Sequence, residues 1–145
     1  MGNLAQNVDD IIPKFLDDVI RKNRNLFELG LSIIEDIQAI HIEIQPGMPV
    51  KDVIDDWRLI SFRDKRTGRN QVLLLGDSQK KGNSWITSSI VLIDLPQNIV
   101  VTKSMSVYKL GSQGNGEPPR RHLIHVCAAL HKWGLGAALG VRALM

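Results

Sequence analysis

The segment RRHLIHVCAALHKWGLG, residues 120–136, gathers three histidines, three basic residues and the only cysteine of the chain. Three chemistries suit such a run: metal coordination by imidazole and thiolate, a thiolate–imidazole pair acting on an electrophile, and docking of an anion. Angular placement separates them. At about 100° per residue, a helix sets Leu123, Val126, Leu130, Trp133 and Gly134 on one apolar arc, with His122 and His125 toward one flank and Cys127 and His131 toward the other. A zinc ion needs four ligands at about 2–2.3 Å, so either flank supplies only two of them. His41, Asp77 or Asp94 would have to complete the set, and the chain has neither a cysteine pair nor HExxH. No metal and no other cofactor is expected.

Cys127 and His131 form the enzymatic alternative. A thiol beside Ala128, Ala129 and Leu130 is more naturally a buried small hydrophobe than a nucleophile, and no catalytic residue is expected. Asp9 with Asp10, and Asp55 with Asp56, read as solvated or helix-start acids. Ser88 and Ser89 lack a GxSxG elbow, and the glycines of GSQGNGEPPR lack phosphate-loop spacing.

The electrostatic reading has more substance. Arg121, His125 and Lys132 share one helical stripe, and Arg120, Lys103 and Lys109, with Lys80 and Lys81, extend it into a basic face suited to nucleic acid or an acidic partner. The formal charge is only +3, but acids concentrate in residues 1–60 and bases in residues 61–145. A DNA-reading helix would also offer base-contacting residues after a preceding helix and turn, and here a Gly/Pro loop comes first.

These side chains need a scaffold. At 145 residues and 43% hydrophobic content the chain supports one cored domain, with Leu, Ile and Val supplying most of the core because aromatics are 5%. Val8, Ile12, Phe15, Leu16 and Val19 recur at helical spacing, and Asn25 with Glu28 and Ser32 with Glu35 have capping-box spacing, so residues 8–44 are predicted helical, with a strand alternative for HIEI. QPGMPVKDVIDDW reads as a connector. WRLISF, QVLLL, WITSSIVLID and IVVTKSMSVYKL then read as four antiparallel strands joined by DKRTGR, GDSQKKGNS and LPQN, a meander over residues 57–110. Residues 111–119 are predicted to be a flexible loop, 120–134 a helix opened by Pro118 or Pro119, and 135–145 an apolar tail. The expected fold is a single α+β domain, N-terminal helices packed on a four-stranded meander with a C-terminal helix.

The stretch TSSIVLID…TKSMSVYKLG resembles a segment of small uncharacterised bacterial proteins, in which a Thr-Ser strand followed by an acid precedes an arginine-containing strand ending in Tyr-x-Leu-Gly. The resemblance rests on Thr87, Ser88, Asp94, Thr102, Ser104, Tyr108, Leu110 and Gly111, about a quarter of the chain, and departs at Lys103 and Val107. It implies reuse of the double hairpin as a unit and no particular activity.

In WITSSIVLID neither strand face is cleanly polar. Trp85, Thr87 and Ser89 on one face, with Leu139 and Leu144 of the tail, are therefore predicted to form a protein interface. The acidic start lacks the basic and apolar pattern of a secretory signal, Gln6 breaks the myristoylation pattern of Met-Gly-Asn, and no apolar run reaches 18 residues. The expectation is a cytoplasmic, non-enzymatic regulatory or interaction protein, self-associating or bound to a protein partner, with no membrane contact. Nucleic-acid binding through the basic stripe is the alternative.

Overall fold

The computed structural model describes residues 12–40 and 49–143. The expected helical stretches at 8–11 and 41–44, His41 and the predicted interface residue Leu144 lie outside them. Among the described residues six strands dominate: β1 (Phe27–Leu31), β2 (Val50–Asp64), β3 (Arg69–Ser78), β4 (Ser84–Asp94), β5 (Ile99–Thr102) and β6 (Val107–Leu110). Short helices among the same residues join them: α1 (Ile34–Gln38), α2 (Arg120–Lys132) and α3 (Gly136–Leu139).

This overturns the expected N-terminal helices on a four-stranded meander. Among the described residues, the N-terminal stripe forms a 3-10 turn at Leu16–Asp18, whose Leu16, with Val19 and Ile20, is buried against the sheet. RKNRN becomes a turn around Asn23, which takes φ 59°. Phe27, Leu29 and Leu31 then alternate as a strand, paired with Ile60–Asp64. The helix that follows is five residues long, and Asp36 accepts the Ile33 amide N–H at 3.0 Å.

β2 to β6 close into a ring. Successive hairpins reverse direction, so in a five-strand meander the last strand must run parallel to the first, and β6 does pair parallel with Val50–Ile54 of β2. Closure pairs the last strand of this five-strand unit with its first and leaves β1 as the edge strand of the sheet. β2 exchanges partners along its length, leaving β6 after Ile54 and meeting β1 from Ile60. The change falls at a bulge between Asp55 and Arg58, where Asp56 adopts φ 48°.

The segment 111–119, expected to be flexible, fills the gap this leaves. Trp57 N–H donates to Ser112 O at 3.0 Å, Gly114 N–H donates to Trp57 O at 2.9 Å, and the Trp57 indole N–H reaches Gly111 O at 3.1 Å. Arg58, buried, donates from Nε to Gly116 O at 2.7 Å and from Nη2 to Asn115 O at 2.8 Å. A Cβ on Gly114 would stand 2.5–2.6 Å from that guanidinium and from Asp56 Oδ1, so only glycine lets the loop lie this close.

Two cores result. Ile54, Trp57, Leu59, Val72, Leu74, Ile90, Ile93, Val100, Tyr108 and Leu110 fill the barrel. Ile60, Leu73, Leu75 and Ile86 point outward and are covered by Leu123, Val126, Cys127 and Leu130 of α2 together with the N-terminal turn, Leu139 and Val141. The Val72–Leu75 run is apolar on both faces because both are buried.

Candidate functional site

α2 has two chemically different ends. It begins at Pro119, whose carbonyl accepts the first helical N–H groups, with no side-chain cap of its own. The acids that favour a helix N-terminus come instead from the barrel. Arg121 Nη2 donates to Asp77 Oδ2 at 2.6 Å and to Asp56 Oδ2 at 3.1 Å, and His122 Nε2 lies 2.8 Å from Asp77 Oδ1. The hydrogen bonds from Arg121, opposed by partial burial and assisted by His122, hold the Asp77 carboxyl down at about 2.

His122 is fully buried, and its Nδ1 has no hydrogen-bond partner among the described residues. As an acceptor, Asp77 places the ring proton on Nε2. Asp56, Asp77 and His122 offer ligand atoms within 4.8 Å of one another. Arg121 already stands between the two carboxylates, so a cation would have to expel a guanidinium to enter. The cluster is a tether that fixes the helix to the barrel end.

Cys127 is buried, and that burial pushes its thiol up to about 11. His131 directs Nε2 at Val141 O, 2.8 Å away, and its ring packs where Gly136 carries no side chain. The thiol is therefore neither ionised nor exposed, and the imidazole is committed to the C-terminal segment.

The basic stripe is dispersed. Arg121 is neutralised by Asp56 and Asp77. His125, half-buried, is lowered by burial first and then by His122 and Lys132, so it adds no charge near neutrality. Arg120 and Lys132 are exposed, and Lys103 and Lys109 stand on the β5–β6 hairpin, as expected of strand lysines.

The predicted interface residues are largely used internally. Two bulges in β4, opposite Leu73–Leu75 and opposite Val101–Thr102, reset its side-chain alternation and explain why neither face reads as polar. Thr87 is buried, and its Oγ1 accepts the Leu74 N–H at 3.1 Å, standing in for a ladder carbonyl. Ser89 Oγ donates to Gln71 at 3.1 Å, and the half-buried Trp85 indole N–H donates to the Tyr108 hydroxyl at 3.3 Å. Leu139 is buried in the outer core, and its carbonyl accepts the Arg21 and Lys22 N–H groups at 2.8 and 2.9 Å. That carbonyl and that side chain seal the domain.

The other end of α2 is open. Gly134, at φ 80°, ends the helix with the paired bonds Leu135 N–H to Leu130 O at 2.9 Å and Gly134 N–H to His131 O at 3.0 Å. This turn folds Leu135 back beside Leu130. Trp133 at 43% exposure and Leu135 at 37% then border a narrow crevice of about 60 Å³ floored by Leu29, Phe62, Leu73 and Ile86. Helical spacing alone puts Trp133 on the packing arc, whereas the glycines of Trp-Gly-Leu-Gly signal that the helix stops there.

No protein-family model, curated protein or solved structure matches the chain. No helix among the described residues is long and apolar enough to cross a membrane.

Proposed function

We propose that the protein is a non-enzymatic interaction module that pairs with a second copy of itself through the surface around Trp133. One observation carries the reading: a protruding indole and an apolar crevice occupy the same patch, bordered by Trp133 and Leu135. A two-fold interface is self-complementary, so each partner must present both the knob and the hole. Large, rigid aromatic side chains are also the residues that concentrate interface energy. The lone cysteine fits a reducing, cytoplasmic setting for such a module.

Sedimentation equilibrium over a concentration series tests this. The unaltered protein should reach twice the chain mass, and Trp133→Ala should remain at the single-chain mass with unchanged circular dichroism. A monomer at every concentration, or a dimer indifferent to Trp133→Ala, refutes the pairing.

A further inference from the structure

At the barrel end formed by the start of β2, the β3–β4 turn and β6, Lys51, Asp52, Lys80, Lys81, Trp85 and Tyr108 enclose a cleft of about 160 Å³. Two aromatic residues, Trp85 and Tyr108, and three lysines, Lys51, Lys80 and Lys81, line it. Among the described residues none of the three lysines makes an ion pair within 4.0 Å. Asp52 accepts from Ser78 Oγ, from Lys80 N–H at 3.1 Å and from Val53 N–H at 2.8 Å, and its charge interacts with Lys80, leaving Lys51 and Lys81 as the excess of positive charge.

The turn carrying two of the lysines is ordered by its own hydrogen bonds. Ser78 N–H donates to Asn83 O and Gly82 N–H to Ser78 O, both at 2.8 Å, and Ser78 Oγ accepts Lys81 N–H at 2.9 Å. Lys81 Nζ lies 3.7 Å from the centre of the Trp85 ring, a cation resting on an aromatic face. A planar group stacking on Trp85 would take that place and release the ammonium toward an adjacent anion.

We infer that this cleft binds single-stranded nucleic acid, one base stacking on Trp85 while phosphates meet Lys51, Lys80 and Lys81. The pairing of an aromatic platform with a local excess of positive charge matches the alternation of base and phosphate along a strand. A duplex keeps its bases stacked inside and cannot offer one to the indole. The site is separate from the Trp133 surface, and neither proposal depends on the other.

Titration of a fluorescein-labelled oligothymidylate against the full chain, followed by anisotropy from about 50 to 200 mM salt, tests the inference. Three phosphate contacts predict a slope of log K against log salt near −2, taking about −0.7 per contact for a single strand. Trp85→Ala should weaken binding roughly tenfold. Lys80→Gln with Lys81→Gln, at exposed positions that leave the fold intact, should bring the slope toward −0.7. Absence of binding at low salt, or binding indifferent to the lysine pair, overturns the site. A thymidine monophosphate or a matched duplex competing as well as the oligonucleotide, per nucleotide, overturns the strand as its ligand.

Discussion

Asp77→Asn removes the charge that holds the start of α2 against the barrel while keeping a group of the same shape, and its effect should depend on pH in a particular direction. The Asp77 carboxyl sits at about 2 against an ordinary 3.8, through Arg121 first, with burial opposing and His122 assisting. At about 1.36 kcal/mol per pH unit this is worth roughly 2 kcal/mol. Arg121 is 55% exposed and Asp77 31%, so solvent screening reduces the expectation to about 1–2 kcal/mol. An acid lowered by folding contributes its stability above the unfolded-state value, near 4, and loses it as the pH falls toward the folded value, near 2. Urea denaturation followed by tryptophan emission should therefore show Asp77→Asn less stable than the parent by about 1–2 kcal/mol near neutrality, with the gap closing to about 0.5 kcal/mol or less near pH 2. A gap that is constant with pH, or that widens in acid, refutes the assignment of the tether to this ion pair.

The buried, un-ionised Cys127 should resist a thiol-specific disulfide reagent at about pH 8 in the folded protein and react stoichiometrically once denaturant is added; fast reaction of the folded chain would contradict its burial. Leu139→Ala should lower stability by about 2–4 kcal/mol in thermal or urea unfolding, because the residue is 1% exposed within the outer core, whereas a loss below about 0.5 kcal/mol would mean that the C-terminal segment does not seal it.

Particular elements show how much of the fold was legible. The Val72–Leu75 run and the turn at Gly68 define their hairpin locally, and α2 is recognisable from its apolar arc and the prolines that open it, although it ends at Lys132, before Gly134. The start of β2 was not. Pro46, Gly47 and Pro49 make QPGMPVKDVIDDW read as a connector, yet the strand starts at Val50, just past them, and the polarity of Asp52, Asp55 and Asp56 is matched by distant partners: Ser78, the Ser112 N–H and Arg121. β1 was hidden because Phe27, Leu29 and Leu31 sit among residues that also satisfy helical spacing; only pairing with β2 decides the conformation. The run from Ile99 to Leu110 divides because Thr102 and Ser106 close a tight turn at Met105, φ 63°, where hydroxyl groups satisfy the chain locally.

The candidate site followed the same division. His122, Arg121 and Cys127 were visible as chemistry-bearing residues, but their partners lie 44 and 65 residues away in sequence for Arg121 and 45 for His122. No spacing rule on one helix could reveal that Arg121 was already neutralised or that the exposed lysines belonged to a barrel end. Trp133 and Trp85 looked alike as apolar residues, and only the ends of their elements, a left-handed glycine and a lysine-bearing turn, distinguish the surfaces they occupy.

The ring closure by a parallel pair sets an order on biosynthesis. β2 emerges from the ribosome long before its partner β6, and the residues that cover its middle, Ser112 and Gly114, emerge later still. Until then one edge of β2, from Val50 to Arg58, lacks its partners on a nascent chain and is able to join another copy edge to edge. The slow step of folding should therefore be this long-range closure. Chains interrupted before residue 107 should accumulate in the insoluble fraction, while those extended through α2 should stay dispersed.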